Sequence, residues 1–527
     1  MHATIMKNLF FSLLILFTAL CAATPFEDVA AMNHQEGNRE QENLSLGQKN
    51  LPESRKTTQL TKGVTHTEIS RGYYSQNAYY TVDIAFLTSK RKAKTVAQSL
   101  RDTGYKVEIH KVKNKHTKYT DVEEKNIGYV IRSGEFTHKE EAEKLADRIS
   151  DDGYKKASVT FSEFDGTTKT TGPWQIDVIE INPEKFEGEL TNLLANGKIP
   201  GRETVSSMAA RSKAIAGING GYFVVGSQDG TPGDPAGISI IDGKLVSESV
   251  GDRTSLLLSN NQGEIGEVRA KLSLETSTGA TEVIDGMNRE PGLIRNCGGT
   301  DDKPTTKPKH DVTCTDQEEI ILFSAYSGDM TPEGEGFEVV VNEEDKVVKT
   351  YPQRGHKIPE NGSVLSATGE QAKWLKNAVS IGDKLRISKK VYSDGKLINT
   401  PSSLDVINGG PQLLEDGRID IQAREEGFRW SKDFFYHFAL YRHPRSFAGI
   451  KENGNILLGT VNGRNPKESI GISFFESAKI LKSLGAVEGM NLDGGGSSSM
   501  VVEGQLVNDP SDTTGERPVS DGIFILK

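Results

Sequence analysis

The sequence predicts a protein of the α+β class, in which a strand-rich mixed α/β domain contains a small inserted βαβ–βαβ unit near its start. From about Thr171 to Lys527, apolar runs repeatedly flank turn residues such as Asp242-Gly243, a pattern typical of β-hairpins. Helical patterns are fewer there. The clearest begins at Ser473, where Glu476 three residues later completes a capping box. Earlier in the chain, two similar segments predict two amphipathic helices.

Those two segments form an internal repeat with an offset of 49 residues, "TSKRKAKTVAQSLRDTGYKV" from Thr88 and "THKEEAEKLADRISDDGYKK" from Thr137. Each copy places apolar residues at i, i+3, i+4 and i+7, which predicts one buried helix face. These residues are Ala93, Val96, Ala97 and Leu100 in the first copy, and Ala142, Leu145, Ala146 and Ile149 in the second. Gly104 and Gly153 are expected to end the helices, and strand-like runs flank both, so the segment should fold as a compact split βαβ–βαβ unit.

The overall composition favours soluble globular domains. The 527 residues are 35% hydrophobic and 26% charged, with a formal net charge of -10. An acidic balance argues against a protein that binds nucleic acid with its whole surface. Beyond the N-terminal region, no stretch is long and apolar enough to predict a transmembrane span.

Residues 1–23 are expected to be a signal peptide, which predicts secretion. Lys7 precedes the apolar run Leu9–Leu20, and "CAA" then offers small residues for cleavage near Ala23. Lipid attachment at Cys21 is the alternative, which Leu20 disfavours because a small residue is expected at that position. Residues 24–60 are rich in Gln, Glu, Asn and Lys, and are expected to form a polar linker.

If the leader is removed, two cysteines remain, Cys297 and Cys314. In an oxidising compartment a disulfide between them is the first interpretation. A pair of metal thiolates is the alternative, but no cluster of His or Cys at ligand spacing lies nearby.

The stretch "NLDGGGSSSM", from Asn491 to Met500, is the strongest candidate for a functional loop. It lacks the lysine and the following helix of a phosphate-binding P-loop. It also lacks the trailing glycine and helix of a nucleophile elbow, which disfavours a serine hydrolase with Ser497 as nucleophile. What remains is a carboxylate, Asp493, at a strand end, followed by Gly494, Gly495 and Gly496, which let a ligand approach the backbone closely. Taken alone, a tight turn with a capping Asp explains it equally well.

Three other apolar strands are predicted to end in a similar way. "INGG" occurs at Ile218–Gly221 and again at Ile407–Gly410, and "TVNGR" occupies Thr460–Arg464. Several strand ends that each present a short polar side chain beside bare backbone suit a shared pocket. Arg445 and Arg464 lie beside this set, and arginine is well suited to bind a carboxylate or phosphate because its fork donates in pairs.

Six stretches resemble the phosphodiester glycosidase family and follow the order found in it. They are "GINGGYF", "INGGPQLL", "HPRSFAGI", "TVNGR", "NLDGGGSSSMVV" and "RPVSDGI". The repeat region, above all "YVIRSGEFTHKEEAEKLADRI", resembles the SPOR (sporulation-related repeat) family, a peptidoglycan-binding module. Together the resemblances imply the first strand of a catalytic domain at residues 61–74, a SPOR-like insertion at residues 75–170, and the remainder of the catalytic domain at residues 171–527.

The first resemblance implies a glycosidase that hydrolyses sugar-1-phosphodiester bonds, such as those of GlcNAc-1-phosphodiesters. With the SPOR-like unit it implies a secreted, cell-wall-associated enzyme. Its partners would be peptidoglycan or another wall glycan and a phosphate-linked glycan substrate such as teichoic acid or capsule. The alternative is a non-catalytic protein that only binds cell-wall glycan. No obligatory redox cofactor and no metal site is predicted from motifs, while a site cation such as calcium stays an open alternative.

Roles for individual residues follow from the chemistry of an oxocarbenium-like transition state, which needs a nearby carboxylate. Asp493 is expected to be that carboxylate, with Arg445 and Arg464 neutralising phosphate charge. Glu203 is a weaker candidate for a second carboxylate, because an acid favoured by the dipole at a helix start explains it better. Asp521 is a more distant candidate. The predicted substrate-binding residues are Asn219, Gly220, Gly221, Asn408, Gly409, Gly410, Asn462, Gly494, Gly495, Gly496 and Ser497.

Overall fold

The computed structural model describes residues 43–114 and 119–527. The predicted signal peptide, residues 1–23, and residues 24–42 of the predicted linker lie outside the described residues. Within them, the helices are α1 Lys90–Asp102, α2 Lys139–Asp151, α3 Val205–Ser212, α4 Gly369–Ala378, α5 Lys432–Phe434 and α6 Phe474–Ser483, and α5 continues into a π-helical turn, Phe435–Leu440.

Strands dominate the fold, which confirms the strand-rich mixed class that the sequence predicts. Numbered along the described chain, they are β1 Glu53–Thr61, β2 Val64–Arg71, β3 Tyr80–Leu87, β4 Val107–Lys113, β5 Asn126–Phe136, β6 Ser158–Phe161, β7 Trp174–Ile181, β8 Glu189–Leu194, β9 Ala216–Asn219, β10 Ser239–Ile241, β11 Lys244–Ser247, β12 Thr254–Ser259, β13 Gln262–Glu275, β14 Thr281–Val283, β15 Gly286–Met287, β16 Ile294–Arg295, β17 Thr313–Cys314, β18 Ile320–Phe323, β19 Phe337–Asn342, β20 Val347–Tyr351, β21 Gly362–Ala367, β22 Arg386–Ser393, β23 Lys396–Ile398, β24 Leu404–Asn408, β25 Gln412–Glu415, β26 Arg418–Ile419, β27 Arg445–Lys451, β28 Ile456–Val461, β29 Ala486–Asn491, β30 Met500–Val502, β31 Gln505–Leu506 and β32 Asp521–Leu526.

Three sheets of the main domain surround a common core. Their strand orders are β1-β2-β7-β28-β27-β29-β25-β26, then β11-β10-β24-β12-β13-β22-β23, and β31-β30-β9-β32-β8. Apolar residues from all three meet in one buried cluster, for example Leu458 of the first sheet, Ile407 of the second and Ile218 of the third. A five-stranded sheet, β15-β18-β21-β19-β20, adds a separate cluster with α4.

The chain leaves the first sheet after β2 and returns to it in β7. These two strands pair antiparallel, from Val64 opposite Ile181 to Arg71 opposite Trp174. More than a hundred residues lie between Arg71 and Trp174, although these two residues are paired in the sheet. Because the exit and return points are adjacent, an insertion of this length does not disturb the ladder.

The predicted polar linker ends earlier than expected. Glu53–Thr61 of that segment form β1, which pairs with β2 at the edge of the first sheet, and Leu44, Leu46 and Leu51 before it are buried. Most side chains of β1 are exposed or half-buried. A strand at a sheet edge can be polar on both faces, and such a sequence lacks the alternation that distinguishes a strand from a solvated linker.

The inserted unit, residues Tyr80–Phe161, runs β3-α1-β4-β5-α2-β6, which is the order of elements that the repeat predicts. Its antiparallel sheet has the order β4-β5-β3-β6. The repeated apolar residues of α1 and α2 pack on one face of this sheet against Val82, Ile84 and Ile131. Gly104 and Gly153 follow the helices with positive φ angles of 93° and 101°, as expected of residues that end a helix.

The other face of this sheet packs against the main domain. Phe86 stacks on Tyr436, with ring centroids 5.5 Å apart, and Arg132 donates to Asp83 at 2.7 Å and to the Tyr436 hydroxyl at 3.0 Å. The Tyr436 hydroxyl donates in turn to Asp165 at 3.1 Å. The inserted unit and the main domain therefore share one core and a buried polar network, rather than a flexible hinge.

Arg442 fastens the segment that follows the inserted unit to helix α6. Its Nε and Nη2 contact the Glu476 carboxylate at 2.7–3.1 Å, and its other donors reach the carbonyl oxygens of Glu163, Asp165 and Thr168 at 2.7–3.0 Å. Both side chains of the ion pair are buried. Loss of one partner would leave a buried charge and several carbonyl groups without a donor.

We expect Arg442→Met to lower the free energy of unfolding by about 3–5 kcal/mol, the typical loss when one member of a buried ion pair is removed. Denaturant unfolding followed by tryptophan fluorescence measures the loss. Arg424→Met is the matched control, because Arg424 pairs with Glu124 at a half-exposed site where such pairs contribute about 0–1 kcal/mol. Equal losses for the two variants would contradict the role assigned to Arg442.

Candidate active site

The ends of β9, β24 and β29, which belong to three different sheets, come together. The Asn219 side chain donates to the Asp493 carbonyl at 2.9 Å, and the Asp493 N–H donates to the Gly220 carbonyl at 3.2 Å. The Gly410 N–H donates to the Asn491 carbonyl at 2.8 Å. Three of the four predicted strand-end motifs thus form one continuous hydrogen-bonded group.

Close backbone approach explains two of the glycines in this group. A Cβ atom on Gly221 would lie 2.3 Å from the Asn408 carbonyl oxygen, and one on Gly409 would lie 2.4 Å from the Met490 methyl group. Any side chain at these positions would force the strand ends apart.

Beside this junction lies a cavity of about 290 Å³, here called the Asp493 cavity. It is lined by Tyr222, Phe223, Val225, Ala236, Arg295, Asn296, His310, Asp311, Phe438, His443, Arg445, Arg464, Asp493, Gly494, Gly495, Gly496 and Arg517. Of the predicted site residues, the structure brings Asp493, Arg445, Arg464 and the three glycines to this one cavity.

Asp493 lies at this cavity with its Oδ1 accepting a hydrogen bond from the Gly494 N–H at 2.8 Å. Burial raises the pKa of Asp493 to about 6, while the Ser497 hydroxyl, the Gly494 N–H and the Arg517 charge act in the opposite direction. The negative charge of Asp311 raises the pKa further. A carboxyl group with this pKa is ionised at neutral pH, yet close enough to its titration range to exchange a proton.

Arg445 is a buried cation at the same cavity. Its guanidinium group lies 4.2 Å from the centre of the Phe474 ring and 5.2 Å from that of Phe438, and it donates to the carbonyl oxygens of Ile472 and Phe438. Among the described residues, no carboxylate lies within ion-pairing distance of Arg445. Burial lowers its pKa to about 10. An unneutralised cation of this kind is well placed to bind an anionic group.

Two further arginines extend the positive side of the cavity. Arg464 adopts a positive φ of 62° and donates to the Ser511 hydroxyl at 3.1 Å. Arg517 forms a two-point contact with Asp512 at 2.7 and 3.0 Å, so its charge is already compensated. Arg445 and Arg464 are therefore the better candidates for binding phosphate.

Two histidines at the cavity are held neutral. His310 packs among the rings of Tyr222, Phe428 and Phe438 at centroid distances of 4.2–4.8 Å, and burial lowers its pKa well below the usual value. Burial and the Arg445 charge lower the pKa of His443 to about 3. Neutral imidazoles can donate a hydrogen bond to a ligand without adding charge.

Sequence reasoning missed both histidines, together with Tyr222, Arg295 and Arg517. His443 lies in "HPRSF" and Arg517 in "RPVSDGI", so the motifs around them could have identified these two. Nothing in the local sequence marks His310, because it reaches the cavity through the fold of the loop between Cys297 and Cys314. The predicted disulfide between these cysteines is present.

Several predicted substrate-binding residues support the site from behind. Oδ1 of Asn219 accepts from the Ser446 hydroxyl at 2.7 Å and the Ser499 N–H at 3.2 Å, and Oδ1 of Asn408 accepts from the Tyr222 N–H at 2.9 Å. Oδ1 of Asn462 accepts from the Asp509 N–H at 3.1 Å. Five other predicted substrate-binding residues also lie outside the lining of the Asp493 cavity. They are Gly220, Gly221, Gly409, Gly410 and Ser497. Strand-end amides thus hold the backbone, which differs from the predicted contact with sugar hydroxyls.

The two other candidate carboxylates also lie outside the cavity. Glu203 accepts hydrogen bonds from the Asn196 N–H, the Ser207 hydroxyl and Arg211, and these partners hold its pKa below the usual value despite burial. These contacts agree with the structural interpretation of Glu203 as an acid near the start of α3. Asp521 is fully buried, and its Oδ1 accepts from the Gly221 N–H at 3.1 Å, so it supports the glycine turn.

In residues 43–114 and 119–527, no group of three or more His, Cys, Asp or Glu side chains is arranged to hold a metal ion. The helices of that same part of the chain are too short or too polar to cross a bilayer.

Comparisons with known proteins identify two domains. A family model described as phosphodiester glycosidase matches residues 335–526, and one described as SPOR domain matches residues 76–160. A crystal structure from Burkholderia pseudomallei, of a protein described as exported, superposes with a TM-score of 0.84 at 30% identity. The match covers 92% of this chain and 98% of that one.

Two curated relatives match over shorter stretches. A prophage-derived protein of Bacillus subtilis is 38% identical over 84 residues, which are 16% of this chain and 13% of that protein. The mouse N-acetylglucosamine-1-phosphodiester alpha-N-acetylglucosaminidase is 30% identical over 188 residues, which are 32% of this chain and 35% of the mouse enzyme. The chain thus spans well under half the length of these two relatives. Together with the domain matches, these similarities show that the chain contains a phosphodiester glycosidase domain, residues 335–526, and a SPOR domain, residues 76–160.

Proposed function

We propose that this protein hydrolyses sugar-1-phosphodiester bonds in phosphate-linked glycans of the cell wall, and that its SPOR domain binds peptidoglycan. The observation that carries the proposal is the presence, in one cavity, of the Asp493 carboxylate and the Arg445 guanidinium without a carboxylate partner. The match of residues 335–526 to the phosphodiester glycosidase model supports the reaction class.

The two charges match the needs of the reaction. Cleavage of the anomeric bond builds positive charge on the sugar ring, and a carboxylate beside C1 stabilises that charge or acts as nucleophile or base. The departing phosphate already carries negative charge, which Arg445 and Arg464 would bind as it increases. Because such a leaving group departs readily, protonation by a strong general acid is less important than in ordinary glycosidases. In this proposal Asp493 stabilises the sugar ring or attacks it, and the two arginines bind the departing phosphate.

The SPOR domain supports a location at the cell wall. A surface cavity of about 460 Å³ lies on the part of its sheet that the main domain leaves uncovered. Lys106, Glu108, His110 and Glu135 are among its lining residues and offer donors and acceptors suited to glycan hydroxyl and acetamido groups. With the predicted signal peptide, this favours a secreted protein that is attached to wall glycan while it acts on a phosphate-linked chain.

We expect Asp493→Asn to abolish release of free GlcNAc from UDP-GlcNAc, lowering kcat/KM at least about a hundredfold because the essential carboxylate is lost. Binding of the substrate, measured by calorimetry, should remain. Asp509→Asn is the matched control, since Asp509 is exposed, lies near Asn462 and does not line the cavity. Full activity of Asp493→Asn would refute the assignment. If the parent protein binds cell wall but hydrolyses none of the sugar-1-phosphodiesters tested, the non-catalytic glycan-binding alternative is favoured instead.

The pH profile is the second test. With a pKa of about 6, Asp493 is protonated below that pH and ionised above it. If the ionised form is required, kcat/KM for UDP-GlcNAc should rise as the pH passes through about 6 and level off above it, because the diphosphate diester stays ionised throughout. A rate that falls through the same interval would assign Asp493 the role of proton donor instead.

Arg445 is tested by a pair of substitutions. Arg445→Met should lower kcat/KM at least about a hundredfold by removing the charge that meets the departing phosphate. Arg445→Lys should recover part of the activity, because it keeps the charge but not the planar fork. Inorganic phosphate should inhibit the parent and bind more weakly to Arg445→Met. Unchanged inhibition by phosphate in Arg445→Met would exclude Arg445 from phosphate binding.

A further inference from the structure

A larger cavity, of about 780 Å³, adjoins the Asp493 cavity and has no part in the reaction described above. The two cavities share the lining residues Ala236 and Arg295, so they are neighbours on the molecule. The larger one, here called the Asp234 cavity, lies between β13 and the disulfide-closed loop, and Cys297 is part of its wall. Its volume is within the range of roughly 300–1,000 Å³ that is usual for ligand sites.

Part of the charge around the Asp234 cavity is structural. Arg289 is buried between Glu248 and Glu319, with Nε donating to Glu248 at 2.5 Å and Nη1 donating to Glu319 at 3.1 Å. Glu248 and Glu319 also accept from the N–H groups of Met287 and Gly292 at 2.9 and 2.6 Å. These three side chains satisfy one another and fix the wall of the cavity.

Asp234 differs from this group, because its Oδ1 is buried and has no hydrogen-bond partner. Only 5% of the residue is exposed, and it lines the cavity. Burial and the charge of Glu248 raise its pKa well above the usual value. A buried carboxyl oxygen without a donor is costly unless a ligand supplies one.

The remaining lining indicates which ligand chemistry fits. Six carboxyl side chains line the Asp234 cavity, namely Asp234, Glu248, Asp285, Asp301, Asp302 and Glu319, together with five basic ones, Arg269, Lys271, Arg289, Arg295 and Lys390. With the two signs nearly balanced, the lining gives no strong preference for a cation or an anion. Hydroxyl groups, which both donate and accept, can satisfy carboxyl and basic groups alike.

We propose that the Asp234 cavity binds sugar or polyol units of the phosphate-linked glycan next to the bond cleaved at Asp493. The substrate would then be a polymer that occupies both cavities, with its hydroxyl groups on Asp234. This inference rests on the proposed function, because it places the scissile phosphodiester in the Asp493 cavity. It adds a binding site for the part of the chain beyond that bond.

The experiment compares two ligands and two readouts. The ligands are the methyl phosphodiester of α-GlcNAc-1-phosphate, which has no second sugar, and a longer oligomer of α-GlcNAc-1-phosphate. Turnover is measured with the parent enzyme, and binding with the Asp493→Asn protein, so that affinity is read whether or not catalysis occurs. Asp234→Asn removes the carboxylate at constant shape. Ser273→Trp fills the cavity from an exposed strand position, and Ser402→Trp, at an exposed turn that lines neither cavity, is its control.

We expect both cavity substitutions to weaken binding of the oligomer at least about tenfold, which is a measurable change in affinity, and to leave binding of the methyl diester unchanged. Ser402→Trp should affect neither ligand. Equal affinity of the Asp493→Asn protein for the two ligands, or an equal loss of affinity for both in the cavity variants, would overturn the inference. If the parent hydrolyses neither ligand but the oligomer still binds selectively through the Asp234 cavity, the hydrolytic function is rejected and the proposed binding site is supported.

Discussion

The geometry of the candidate site depends on the buried side-chain amide of Asn219. It contacts three parts of the main domain at once: the carbonyl of Asp493, the hydroxyl of Ser446 on β27, and the N–H of Ser499 before β30. Asn219, Ser446 and Ser499 are buried, so their polar groups need partners within the protein, and this amide connects β9, β27 and the loop after β29. The Asp493 carboxylate therefore projects from a backbone that is held on both sides, which is the preorganisation that a catalytic group requires.

Asp493 and Arg445 line the same cavity without forming an ion pair. Burial raises the pKa of Asp493 and lowers that of Arg445, so each group is shifted toward its neutral form. A bound phosphodiester would favour the charged form of Arg445, and the folded state would gain stability through that binding. The same negative charge near Asp493 would raise its pKa further. If Asp493 acts as the proposed carboxylate, the phosphate would therefore have to lie nearer the arginines than Asp493.

Sequence patterns predicted the convergence of strand ends, because glycines beside short polar residues fit places where backbones approach closely. Asp493, Arg445 and Arg464, which this pattern singled out, line one cavity. The orientation of the amides was not predictable in the same way. Asn219 and Asn408 have the same local pattern whether the side chain faces a ligand or a neighbouring backbone, and only the register of the sheets decides between these outcomes.

Long-range contacts account for the other differences. His310 reaches the cavity only because the disulfide-closed loop folds across Tyr222 and Phe428, and β1 is a strand only because β2 offers it an edge. Neither relation leaves a periodic trace in the local sequence. The opposite holds for α1 and α2, whose 3.6-residue periodicity is a local property. Their bounds in the structure follow the repeat closely.

The shared core between the SPOR domain and the main domain constrains how the two activities could be combined. Arg132, Tyr436 and Asp165 connect them through buried hydrogen bonds, and Arg442 secures the segment that returns to the main domain. A wall glycan held on the SPOR sheet would consequently lie at a fixed distance and angle from Asp493. A flexible tether would raise the local concentration of every bond within its reach. A rigid connection would favour only those phosphodiester bonds that the wall presents at the matching position, so attachment to the wall would also act as a selection of substrate.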